Sequence, residues 1–155
     1  MDRFGVDASV IVASLLPDEP YRDAALHVLT QFLFDSVELV TLPLMKYEVA
    51  NALWKALKAG RVKREDALAA LKEFEAFNIP ESEVSGVEAL KLAQAYDRSA
   101  YDAAYLALAK AEKAPLITAD KRLYNALKGE FSLLLTVKRN PSRETLGRHL
   151  RPLTG

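Results

Sequence analysis

Four acidic side chains, Asp7, Glu48, Asp102 and Asp120, carry the chemistry this sequence offers most directly. Asp7 interrupts the apolar run from Val6 to Leu16. A carboxylate in such a run must be hydrogen-bonded, paired or bound to a cation, because an isolated buried charge is too costly. It could equally cap the helix that follows it. Asp120 closes Thr118-Ala-Asp at a strand-to-helix junction, where Asp is again a preferred cap. Asp102 falls in the first turn of a helical pattern with Leu106 and Ala109 on its side, a position the helix dipole also favours. Glu48 precedes Asn51 and Ala52 by one turn, and alone it reads as an ordinary surface glutamate. Together the four mean more. Like charges ~4 Å apart repel by roughly 4 kcal/mol at an effective dielectric of 20. Several ionised carboxylates share a pocket only where a cation neutralises them or protons are taken up. Oxygen-only donors select a hard ion, Mg²⁺ or Mn²⁺, over zinc.

The elements that must position these acids alternate along the chain. A short buried strand ends at Val6, and a short helix follows it to near Pro17. Helical spacing runs from Pro20 to Phe34 through Ala24, Ala25, Val28, Leu29 and Phe32. Glu38 to Leu42 reads as a second strand. Pro43 opens a helix over Leu44 to Ala59, with Met45, Val49, Leu53 and Leu57 on one face and Gly60 as its stop. Lys63 to Phe77 is a further amphipathic helix. Asn78-Ile-Pro suggests a short edge strand, and Val87 to Asp97 and Tyr101 to Lys113 read as alanine-rich helices. Strands at Pro115–Thr118 and Phe131–Val137 flank a helix from Lys121 to Lys128. Strands separated by helices predict an α/β fold with a mainly parallel sheet of about five strands. Ligands in such sheets gather beyond the carboxyl ends of the strands, where Asp7 and Asp120 fall.

Composition narrows the classes. The chain has 155 residues, a length suited to one domain. It has no cysteine, which excludes disulfides, thiolate metal sites and a cysteine nucleophile. The two histidines, His27 and His149, do not make a histidine-rich zinc cage. Twenty-one basic residues balance twenty-one acidic ones, but unevenly. From Lys138 onward five basic side chains face the single acid Glu144, so a basic tail, 138–155, is set apart from an acidic body, 1–137. No segment reaches the ~18–20 apolar residues of a membrane span, and the opening residues lack the pattern of a signal peptide. No membrane association and a cytoplasmic location are the expectations.

Four stretches, in order, carry a resemblance: Val6-Asp-Ala-Ser, Tyr47-Glu-Val-Ala-Asn-Ala-Leu, Ser99-Ala-Tyr-Asp-Ala-Ala-Tyr-Leu-Ala-Leu-Ala and Thr118-Ala-Asp-Lys-Arg-Leu. Each is weak alone. Together, over residues 6 to about 123, the chain resembles PIN-domain ribonucleases of the VapC toxin type. The resemblance implies a central parallel sheet flanked by helices. It implies that Asp7, Glu48 and Asp102 coordinate Mg²⁺ or Mn²⁺, with Asp120 a fourth acid acting directly or through water. Ser9 and Thr118 match supporting hydroxyls, and Asn51 stands where the family often has Asn. The implied activity is metal-assisted endoribonucleolytic cleavage leaving a 5′ phosphate and a 3′ hydroxyl. The implied partners are an RNA substrate, a second copy in a homodimer and a small VapB-type antitoxin.

Lys46, Arg98, Lys121, Arg122 and the tail are candidates to hold RNA phosphates; solvated surface charge explains them equally simply. Trp54, Tyr47 and Tyr124 could line an antitoxin groove, although core packing is the simpler expectation for each. The rivals are a catalytically silent PIN-fold module that binds RNA or protein, and a DNA-directed nuclease of similar fold. A haloacid-dehalogenase-type phosphatase needs a second Asp two residues after its nucleophile, and Ser9 occupies that position. A receiver domain needs a paired acidic cluster after the first strand, which is missing here.

Overall fold

A computed structural model of the chain describes residues 1–137. The basic tail from Lys138 lies outside the described residues. The elements in order are β1 (Asp2–Val6), α1 (Ala8–Leu15), α2 (Arg22–Leu33), β2 (Val37–Val40), α3 (Met45–Lys58), α4 (Arg64–Ala76), α5 (Gly86–Tyr96), α6 (Ala100–Glu112), β3 (Leu116–Thr118), α7 (Lys121–Leu127) and β4 (Leu134–Thr136). The strands form one sheet in the order β2-β1-β3-β4, and every pairing is parallel. Parallel strands need crossovers, and the helices supply them.

The sheet is buried on both faces, as parallel sheets are. Successive residues of a strand point to opposite sides, and the two cores divide accordingly. Ile117 and Leu135 belong to the core built with α1, α2 and α3, whereas Leu116 and Leu134 belong to the core built with α6 and α7. Gly5 on β1 faces the second core, where a methyl group would meet Leu116 Cδ1 at 3.4 Å. On leaving β1 the chain runs to β2 on one side, and it later returns to β3 on the other. The switch point of the sheet therefore lies between the carboxyl ends of β1 and β3. Asp7 follows the first of these strands and Asp120 stands two residues beyond the second.

The fold is the expected α/β arrangement, with two differences in detail. Among the described residues the sheet has four strands. The edge strand expected at Asn78-Ile-Pro is reduced to a single bridge, Thr41 with Glu81. Pro80 has no N–H to give to a ladder; only its carbonyl is used, accepting from Thr41 N at 2.9 Å, before Ser82 N donates to Thr41 O at 2.8 Å. The second difference concerns aromatics. Tyr47 and Trp54 are 66% and 55% exposed rather than packed in the core. The buried stripe of α3 is Met45, Val49, Leu53 and Ala56. At ~100° per residue, Tyr47 lies about 200° from Met45 and Trp54 about 100° from Leu53, so both leave the stripe. Tyr124 is half-buried, against the α6–α7 core.

Candidate active site

The two strand-end aspartates are helix caps, and they are more than that. Asp7 is the N-cap of α1 and accepts from Ser9 N at 3.1 Å. The Ser9 hydroxyl donates to the same carboxylate oxygen, and Thr118 Oγ1 donates to the other at 2.6 Å. Asp120 is the N-cap of α7, accepting from the backbone N–H groups of Arg122 and Leu123 at 3.0 and 3.2 Å. Its own N–H donates to Thr118 Oγ1 at 3.0 Å, and Ala119 N donates to Ser9 Oγ at 2.8 Å. Ser9 and Thr118 thus tie the start of α1 to the end of β3, with the Asp7 carboxylate between them.

Asp7 is 6% exposed. Burial pushes its carboxyl up to about 7, against the pull of the Ser9 and Thr118 hydrogen bonds, and the charge of Asp120 pushes the same way. Burial also raises Glu48, opposed by a hydrogen bond from Tyr105 and assisted by the charge of Asp102. Asp7 therefore carries the like charge of Asp120 nearby, and Glu48 that of Asp102.

Tyr105 sits between the pairs. It is 3% exposed, and its hydroxyl donates to Glu48 Oε1 at 2.6 Å. Burial raises the phenol above its ordinary value, and Glu48 and Asp7 both add to the rise. Sequence reasoning missed this residue. The available signal was a tyrosine one helical turn after Asp102 in a helix otherwise rich in alanine, since a buried phenol needs a partner.

Asp102 is less enclosed. Arg98 Nη2 approaches its Oδ2 at 3.2 Å along the first turn of α6, and Ser99 caps the same helix by accepting from Asp102 N. Arg98 therefore neutralises an acid of the site in this arrangement. Of the other cations expected to meet RNA, Lys121 stands 5.2 Å over the Tyr21 ring, Lys46 stands 5.3 Å over Tyr47, and Arg122 is exposed. Ser9, Glu48 and Asn51 line one cleft between α1 and α3, of about 400 Å³.

The donor set suits a hard divalent cation by its chemistry. It consists of carboxylate oxygens, two of them held above their ordinary range by burial and by like charge. The placement is not closed around an ion. Among the described residues, no three or more His, Cys, Asp or Glu side chains stand close enough to hold a metal. Each acid is tethered to a protein donor instead: Asp7 to Ser9 and Thr118, Glu48 to Tyr105, Asp102 to Arg98, and Asp120 to the α7 backbone.

The PIN domain family pattern matches residues 5–128. Ribonuclease VapC3 of Pyrobaculum aerophilum is 36% identical over 122 residues, covering 76% of this chain and 89% of that protein. The crystal structure of PAE2754, also from Pyrobaculum aerophilum, superposes with a TM-score of 0.65 at 26% identity, covering 88% of this chain and 90% of that one.

Proposed function

The chain belongs to the PIN-domain family, and on that premise we propose that it is a VapC-type toxin, an endoribonuclease dependent on Mg²⁺ or Mn²⁺. The observation that carries the reading is the pairing of acids across the switch point of the sheet. Asp7 and Asp120 come from neighbouring strand ends, Glu48 and Asp102 from two helices, and Tyr105 touches one pair while feeling the other. Mutual repulsion of this kind is stable only with protons or a cation in the site.

Asp7, Glu48, Asp102 and Asp120 would hold the cation. When bound, a hard divalent ion supplies charge neutralisation at the phosphate and acidifies an attacking water. The rest falls to the chain. Ser9 and Thr118 fix both oxygens of Asp7, so its carboxylate cannot rotate away. Tyr105 fixes one oxygen of Glu48. Lys121 and Arg122, directly after Asp120, and Lys46 are the cations proposed to take RNA phosphates. Arg98, just before α6, holds Asp102 by a half-buried contact.

The expected partners are single-stranded or looped RNA, a second copy of the chain and a small VapB-type antitoxin. The exposed Tyr47 and Trp54 are candidate antitoxin contacts. Among the described residues no helix is long and apolar enough to cross a membrane, and we place the protein in the cytoplasm. Domain boundaries at 1–137 and 138–155 complete the proposal.

One observation favours a second reading, a PIN-fold binding module without catalysis: the four acids are tethered separately and do not close on a metal-sized site. A cleavage assay separates the two. The proposal expects RNA cleavage that needs Mn²⁺ or Mg²⁺, stops with EDTA and disappears in Asp7→Asn. RNA binding without cleavage at any divalent concentration supports the silent module. A matched DNA oligonucleotide in the same assay decides whether RNA or DNA is the substrate.

A further inference from the structure

On α3, the residues Glu48, Asn51, Ala52 and Lys55 follow the spacing i, i+3, i+4, i+7, and all four line the cleft against α1. They form a stripe beside the buried one, about 10 Å long at ~1.5 Å per residue. Its first member is a proposed catalytic acid. The opposite side brings Ser9, Val12 and Ala13 from α1, and the loop between α1 and α2 brings Glu19 and Tyr21.

Two features make this a built cleft. Ala8, Ser9, Ala13, Ala52 and Ala119 give it stretches of small side chains where a flat ring can approach the backbone closely. Its far rim is also fixed by an ion-pair clamp. Arg61, just past the end of α3, gives two parallel hydrogen bonds to Asp18, Nε to Oδ2 and Nη2 to Oδ1, both at 2.8 Å. Nη2 also reaches Glu19 Oε1 at 2.9 Å. A fork of this kind fixes orientation as well as charge. It holds the loop carrying Glu19 and Tyr21 against the α3 side of the molecule.

The contents of the cleft argue for its occupant. Its volume of about 400 Å³ falls within the ~300–1,000 Å³ usual for small-molecule sites. Its walls mix apolar side chains with two carboxylates (Glu19 and Glu48), an amide (Asn51), an ammonium (Lys55) and two hydroxyls (Ser9 and Tyr21). Ser9 is engaged by Asp7 and Ala119 and one Glu19 oxygen by Arg61, which leaves the exposed Asn51 and Lys55 and the second Glu19 oxygen to meet a ligand. A planar heterocycle with a hydrogen-bonding edge and a neighbouring phosphate meets these three.

Resting on the ribonuclease reading above, we propose that this cleft seats the unpaired nucleotide next to the scissile phosphate. Glu19 and Asn51 read the edge of its base, and Lys55 holds the next phosphate. A carboxylate only accepts hydrogen bonds. Uracil's one edge donor, N3–H, lies between two carbonyl oxygens that a carboxylate repels, so Glu19 favours a base that presents an amino group, that is adenine, cytosine or guanine, over uracil. Arg61 is a positioning residue for this selection.

The test is cleavage of a randomised single-stranded RNA pool by the full chain with Mn²⁺, followed by sequencing of the new 5′ ends. Wild type is expected to avoid uracil at one position beside the cut. Glu19→Gln and Asn51→Ala are expected to reduce that discrimination by about tenfold. Arg61→Ala weakens it by a smaller factor. Lys55→Ala slows all sequences alike and makes binding less sensitive to salt. A base preference identical in wild type, Glu19→Gln and Asn51→Ala overturns the proposal, including the case in which the cleft serves a protein partner. If wild type cuts no RNA, the nuclease reading fails separately. The cleft is then read from amide NMR shifts on adding short oligonucleotides that differ at one base. Base-dependent shifts at residues 51–55, lost in Glu19→Gln, sustain it, and their absence ends it.

Discussion

Asp7 is the residue on which stability and function pull in opposite directions. Its carboxyl sits near 7 in the folded chain against an ordinary value of 3.8. Between those values the folded state keeps a proton that the unfolded chain has released. Stability therefore falls as pH rises from about 4 to about 7, and the penalty is complete above that. The difference amounts to roughly 4 kcal/mol for a fully buried group. Glu48, also raised, adds to the fall in the same direction. Urea unfolding at pH 5 and pH 8 in EDTA is expected to show wild type weaker at pH 8, with Asp7→Asn flattening the difference. An unchanged pH dependence in the variant would show that another group is responsible. Tyr105→Phe tests the neighbouring contact. Removing the phenol leaves Glu48 half-buried without that donor, at a cost of about 1–3 kcal/mol in urea unfolding. Asp7 could be found in the sequence because an acid inside an apolar run is itself anomalous. Tyr105 was harder to find, because the local signal, a tyrosine one turn after Asp102 in an alanine-rich helix, does not name a partner 57 residues away along the chain.

Among the elements, α6 has the tightest constraint. It carries Asp102 on the same side as Leu106 and Ala109, and Tyr105, Leu106, Leu108 and Ala109 are all buried. Leu106→Ala is expected to cost about 2–5 kcal/mol in urea unfolding, since the surrounding core cannot close the gap completely. The clamp from Arg61 to Asp18 and Glu19 acts on a different quantity. It is solvent-exposed, and exposed ion pairs contribute little to global stability. Arg61→Ala is therefore expected to leave the unfolding midpoint nearly unchanged while hydrogen exchange speeds up at residues 17–22. Uniform acceleration across α1 and α3 would mean that the pair holds the core instead. Helices and strands were legible because apolar spacing, Gly60 and the capping residues Asp7 and Asp120 mark where they run and stop. The segment around Ile79 was less so. Ile79 is buried, yet the proline after it leaves one bridge where a strand was expected. Helical spacing also hid which side of α3 takes its aromatics, because hydrophobicity marks Trp54 and Leu53 alike and only tertiary packing separates them.

At the scale of the molecule, a parallel sheet with a switch point between β1 and β3 delivers acids from distant parts of the chain to one edge. The place of Asp7 and Asp120 at neighbouring strand ends was legible, because strand ends are where such sheets collect ligands. The tethers on Glu48 and Asp102 were not, since they depend on rotamers of Tyr105 and Arg98. The account's central claim is that Asp7, Glu48, Asp102 and Asp120 bind one divalent site. Calorimetric titration of Mn²⁺ into the full chain and into Asp7→Asn, Glu48→Gln, Asp102→Asn and Asp120→Asn tests it without reference to any substrate. The account expects saturable binding to wild type, weakened in every variant and by about tenfold or more in Asp7→Asn. Wild-type affinity in Asp7→Asn, or no Mn²⁺ binding by wild type at all, would contradict it.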